Sequence, residues 1–206
     1  LAYPVMLSML GQVMTGVADS IMVGWLGATP LAAVSLGHAV FMLLMTFGIG
    51  VTYAITPLVA EADGNHNDSK ISDLLRHGFV INMVTSFLLV AMVFSGQQLM
   101  YRIGQPEDVV TLAIPYLYIV TISLIPTMLF QTFRQFAEGL SRTRMAMIIV
   151  VGSNLLNILF NYIFIYGKFG FPELGLNGAA WATLISLIIM GVWMAGYVYF
   201  YQSYRK

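Results

Sequence analysis

The stretch Leu10-Gly-Gln-Val-Met-Thr-Gly-Val-Ala-Asp19-Ser-Ile-Met-Val-Gly-Trp-Leu26 decides what kind of molecule this is. It is apolar throughout except for one charge, Asp19. The run that contains it, about residues 4–26, is near the ~20 residues a membrane-spanning helix needs. An ionised carboxylate inside hydrocarbon costs at least about 2.5–3.5 kcal/mol, so such a residue faces a cavity, a partner or an ion path.

Five further apolar segments follow, at about 30–60, 78–100, 110–136, 145–167 and 178–201. Polar breaks separate them, the longest being Glu61-Ala-Asp-Gly-Asn-His-Asn-Asp-Ser-Lys-Ile-Ser-Asp73. Strands of a membrane barrel would alternate over ~10 residues, which these runs do not. Helices satisfy every backbone group internally, as hydrocarbon demands. The expected fold is all-α and polytopic, with six transmembrane helices. Thr29-Pro30 is expected to cap the second helix and give it a proline at its first position. Pro115 and Pro126 are expected to bend the fourth, and Pro4 to loosen the start of the first.

Composition agrees. Of 206 residues, 59% are hydrophobic and 9% charged, against roughly 25% charged in a soluble domain. The zero net charge gives no electrostatic basis for binding nucleic acid. There is no cysteine, which removes disulfides, thiolate metal sites and cysteine nucleophiles. No nucleotide-binding glycine loop, no HExxH and no serine, histidine and acid set is visible, so an enzyme is not expected. The chain enters an apolar stretch from Leu1 without a basic leader, so no signal peptide is expected. Its two ends read as those of a piece of a longer protein.

The breaks after the second, fourth and sixth segments carry Lys70, Arg76, Arg142, Arg144, Arg205 and Lys206, while the other side carries Arg102 and Lys168. The positive-inside rule then puts the first set, and the N-terminus, in the cytoplasm.

On a helix, positions i, i+3, i+4 and i+7 share a face. Gln12, Thr15, Gly16 and Asp19 stand at those spacings. Asn154, Asn157 and Asn161 form a second stripe at i, i+3 and i+7 in the fifth segment. Three amides need several hydrogen-bond partners, more than packing requires, and suggest a hydrated cavity or a cation site. Polar stripes also join helices, at ~0.6 kcal/mol per contact. Thr183 and Ser186 in the sixth segment read first as hydroxyls bonded to their own helix. A carboxylate with amide carbonyls and a hydroxyl is hard-oxygen chemistry, suited to Na⁺ or a proton rather than a transition metal. Asp19 is the one acid deep within any segment. His38, alone in the second segment, reads as a packing residue.

Several of these runs match a known family in order and spacing. They are Pro4 with Gln12 and Val17-Ala-Asp-Ser-Ile-Met-Val-Gly-Trp-Leu-Gly27, and Glu138-Gly-Leu-Ser-Arg-Thr-Arg144. Asn157-Ile-Leu-Phe-Asn-Tyr-Ile-Phe-Ile-Tyr-Gly167 and Gly175-Leu-Asn-Gly-Ala-Ala-Trp-Ala-Thr-Leu-Ile-Ser186 complete the set. The chain resembles the amino-terminal half of a MATE (multidrug and toxic compound extrusion) transporter of the NorM or DinF kind. The resemblance implies one six-helix lobe of a twelve-helix, two-lobe protein of the bacterial inner membrane, its carboxy-terminal lobe absent here. It implies exchange of Na⁺ or H⁺ for cationic, amphipathic drugs, with no cofactor beyond the coupling ion. It implies a cation site at Asp19, Asn157 and Asn161, with Thr183 as the sixth-helix hydroxyl, and a cavity lined by Gln12 and Asn154. Some family members carry an aspartate where this chain has Asn161, so the site implied here has one carboxylate. The alternatives are a lipid-precursor flippase, which needs a basic cavity, and a channel or scaffold, which gives uncoupled flux or none. A further alternative is a half-transporter that pairs with a copy of itself.

Overall fold

The computed structural model describes residues 2–102 and 104–203. Leu1, Arg205 and Lys206, used above for the ends and the orientation, lie outside them. Among the described residues nine elements follow in order: α1 (Ala2–Gly24), α2 (Ala28–Thr52), α3 (Ile55–Gly64), α4 (Asp68–Gly96), a 3-10 segment (Gln97–Arg102), α5 (Glu107–Ile122), α6 (Leu124–Gly139), α7 (Thr143–Tyr166) and α8 (Gly175–Ser203). Among the described residues five helical stretches are long and apolar enough to cross a membrane: Ala28–Gly64, Asp68–Gly96, Glu107–Gly139, Thr143–Tyr166 and Gly175–Phe200. At ~1.5 Å per residue, the 23 residues of α1 reach about 35 Å, also a membrane's width.

Two of the spans are broken, and each break stands three to four residues before a proline. Pro57 has no N–H for the carbonyl of Tyr53, and Pro126 has none for that of Ile122. The second span accordingly turns at Tyr53 and Ala54, and the fourth at Ser123. Pro115, expected to bend the fourth span, lies inside the continuous α5. The start of α2 also departs from expectation. Its N-cap is Gly27 at φ 122°, with no side-chain cap, which puts Thr29 and Pro30 at the second and third helical positions. Only glycine adopts that φ without strain, so backbone freedom rather than a hydroxyl starts the helix. The third apolar run begins near residue 78, yet α4 starts at Asp68. Asn67 Oδ1 accepts the Lys70 N–H at 2.9 Å, and the Asp68 carboxylate in the first turn suits the positive end of the helix dipole.

The buried apolar side chains fall into two clusters stacked along the helix axes. One holds Phe41, Leu44, Tyr116, Leu117, Val120 and Ile165. The other holds Val59, Phe130, Phe136, Ile149, Met194 and Val198. The first cluster takes α2 and α5, the second takes α3 and α6, so the two proline breaks mark the level between them. At that level lie buried hydroxyls and amides: Thr52, Asn82, Ser86, Ser123, Ser153, Asn157, Asn161 and Ser186. The α7–α8 corner is closed by Gly178, where a Cβ would stand 2.5 Å from the Phe164 carbonyl oxygen. Only a bare Cα fits there.

Candidate cation site

The belt between the two clusters brings together three of the residues singled out from sequence, Asp19, Asn157 and Asn161. Asp19 sits on α1, and Asn157 and Asn161 sit one turn apart on α7. Asn161 Nδ2 donates to Asp19 Oδ1 at 2.5 Å and to Asn157 Oδ1 at 3.2 Å. One amide therefore bridges the carboxylate and the second amide. Asn161 is fully buried, Asn157 nearly so, and Asp19 is half-buried. Asn161 Oδ1 is buried with no hydrogen-bond partner. The group thus offers oxygen from a carboxylate and two amides, one of those oxygens unsatisfied. That donor set suits a hard monovalent cation.

Along its length α1 packs against α7. The side chain of Asn154 lies against Gly11, whose Cβ, if present, would be 3.1 Å from Asn154 Nδ2. Asp19 meets Asn161 in the middle. Tyr166 Oη donates to the Met22 carbonyl at 2.8 Å, and its ring lies 6.3 Å from that of Trp25. Residue numbers rise together on the two helices, so α1 and α7 run parallel. First and fifth crossings of a membrane must do so when the two broken helices each count as one crossing.

The remaining predicted residues are placed differently. Thr15, on the predicted face, donates to the Gly11 carbonyl at 2.9 Å. Gln12 and Gly16 are exposed. The α1 residues that meet α7 include Gly11, Asp19 and Met22. Asn154 is half-buried, with its Nδ2 unpartnered. Thr183 Oγ1 donates to the Ala179 carbonyl of its own helix at 3.0 Å, which leaves only lone pairs for a cation. Sequence reading missed the Tyr166–Met22 contact. A backbone carbonyl acceptor leaves no trace in residue types, and helical spacing on α7 was the one available signal.

Among the described residues no group of three or more His, Cys, Asp or Glu side chains converges on a metal position. The α6 end of the fourth span carries Arg134, whose Nε donates to Glu138 Oε1 at 2.8 Å. The two side chains are only 14% and 21% exposed.

The profile of the MatE family matches residues 4–163. The chain belongs to the MatE family. It is 36% identical over 198 residues to the multidrug resistance protein NorM of Photobacterium profundum, covering 96% of this chain and 43% of that one. It is 35% identical over 199 residues to the multidrug resistance protein MdtK of Yersinia pestis, covering 96% and 44%. This MatE chain therefore spans less than half the length of the curated relatives it matches. An outward-facing multidrug resistance MATE transporter of the MOP superfamily superposes with TM-score 0.89 at 25% identity, over 96% of this chain and 43% of that one. A MOP superfamily transporter from Pyrococcus furiosus, described as having a binding pocket of reverse polarity, gives 0.88 at 26%, over 96% and 43%. The expected fold class, one six-helix lobe of a MATE-type transporter, is what this MatE chain adopts, and it is a multi-pass membrane protein.

Proposed function

We propose that this chain is the amino-terminal lobe of a cation-coupled antiporter that exports cationic, amphipathic compounds by alternating access. The observation that carries the reading is the bridge from Asp19 through Asn161 to Asn157, with one buried amide oxygen left unsatisfied. Asp19 supplies the charge. Asn157 and Asn161 supply carbonyl oxygens, and the Thr183 lone pairs offer a further ligand from α8. A proton on Asp19 or a Na⁺ among these oxygens alters what holds α1 to α7. Coupling requires that the ion and the exported compound bind the two states of the protein unequally.

The setting is a bacterial inner membrane with the N-terminus in the cytoplasm, as the distribution of Lys and Arg suggests. Exposed apolar residues such as Leu10, Val13, Met14 and Val17 on α1 need lipid or a second lobe against them. The flippase alternative calls for a basic cavity, and Arg134 is instead paired with Glu138. The test uses the full-length parent protein in proteoliposomes, with Na⁺ and pH gradients imposed separately and Asp19→Asn compared with the unaltered protein. Gradient-driven efflux should be lost. Undiminished efflux in the variant removes Asp19 from the coupling role, and equal flux with and without a gradient indicates a channel.

A further inference from the structure

A second polar position lies where the α2–α3 break faces α4. A pocket of about 220 Å³ opens there, lined among others by Ala54, Ile55, Leu58, His77, Ile81 and Asn82. Its walls are almost entirely apolar. Leu58 and Ile81 are 43% and 53% exposed, so the mouth is open along an apolar surface.

The buried polar atom left without a partner in the pocket is an acceptor, Asn82 Oδ1. Asn82 is 1% exposed. Its Nδ2 donates to Thr132 Oγ1 at 2.7 Å, and that hydroxyl spends its own hydrogen on the Met128 carbonyl at 2.7 Å. Thr132 therefore cannot donate back, and Asn82 Oδ1 stays buried without a partner. His77 Nδ1 lies 2.8 Å from the Asp73 carbonyl. A carbonyl only accepts, so Nδ1 carries the hydrogen of that bond. A buried acceptor without a donor is costly, and neither Lys nor Arg lines the pocket.

The geometry points to a binding site for the ammonium head of a membrane-borne alkylamine, with its N–H groups on Asn82 Oδ1 and its chain along Leu58 and Ile81. The volume is below the ~300 Å³ of a drug-sized site, so the pocket takes the head and first carbons while the tail lies outside. The site stands apart from Asp19 and does not rest on ion coupling.

The experiment uses the full-length parent protein in nanodiscs of zwitterionic lipid. A decylammonium probe carrying a diazirine on its chain is compared with the uncharged decanol bearing the same group. Cross-linked peptides are mapped by mass spectrometry. The ammonium probe should label residues 51–58 and 74–82 at concentrations at least about tenfold lower than the alcohol, the worth of one charge-assisted hydrogen bond. Asn82→Leu should abolish that preference. Ala54→Phe, which fills the pocket without touching the Asn82–Thr132 bond, should remove labelling altogether. Asp19→Asn should leave labelling unchanged. Equal labelling by the two probes, or undiminished labelling in Ala54→Phe, overturns the site. Loss of labelling in Asp19→Asn overturns its independence from the ion site.

Discussion

The Asp19–Asn161 contact can be isolated energetically with a double-mutant cycle of Asp19→Leu, Asn161→Leu and the double variant. Single values cannot decide the matter. Asp19→Leu removes a half-buried charge, which by itself favours the folded state, while Asn161→Leu removes two hydrogen bonds and also the unsatisfied Oδ1. The cycle cancels those private terms and leaves the coupling. Its size follows from the geometry. The bond is a 2.5 Å contact from a buried amide to a carboxylate, and hydrogen bonds to charged groups contribute about 1.5–3 kcal/mol. Polar pairs between membrane helices average only ~0.6 kcal/mol, with a maximum near ~1.7, because the unfolded helices find other partners. The charge puts this pair at the upper end of the membrane range, so a coupling of about 1.5 kcal/mol is expected. Reversible unfolding of the full-length parent in mixed micelles measures it. A coupling below about 0.5 kcal/mol would mean that the carboxylate and the amide do not hold α1 to α7, and the reasoning fails.

Four more expectations follow from the packing. Gly178→Ala should destabilise by about 1–3 kcal/mol, since its Cβ meets the Phe164 carbonyl and rigid backbone must move; Gly50→Ala, with nothing within 4 Å, should not, and equal melting temperatures would refute the close packing. Pro57→Ala supplies an N–H to the Tyr53 carbonyl and should slow hydrogen exchange across residues 53–58; unchanged exchange would show that the break has another cause. Arg134→Gln leaves Glu138 half-buried without its partner, and adding Glu138→Gln should restore part of the lost thermal stability; no recovery in the double variant contradicts the pairing. Thr183→Val should change the Na⁺ dependence of efflux less than Asn157→Leu does, because Asn157 also holds Asn161 through its Oδ1 while Thr183 bonds only within its own helix; the reverse order would place the hydroxyl at the centre of the site.

The spans were legible because hydrocarbon imposes both length and polarity, and those are properties of composition. Asp19, Asn157 and Asn161 were legible for a related reason: polar groups too costly for lipid stand out against their surroundings. What stayed hidden depends on direction and on partners. Gln12 shares a helical face with Asp19 by spacing and is exposed, since periodicity gives relative angles and not the azimuth of the neighbouring helix. Pro115 and Pro126 look alike in sequence. Only Pro126 stands at a break, four residues beyond Ile122, whereas α5 runs through Pro115 unbroken. The start of α2 was misplaced because a Thr-Pro pair is a familiar signal and Gly27 is not, although φ 122° is a conformation that Gly alone takes without strain.

The layered core has an electrical consequence. A bilayer presents about 30 Å of hydrocarbon to a crossing charge. Here the two apolar clusters are separated by a belt of hydroxyls and amides, where Asn82, Ser153, Asn161 and Ser186 each keep a buried atom without a partner. Such atoms lower the local energy of a cation or of a water molecule that accompanies it. The lobe therefore acts as two thin insulators in series with a polarisable sheet between them. On the proposed coupling role of Asp19, an ion bound there has crossed one of the two.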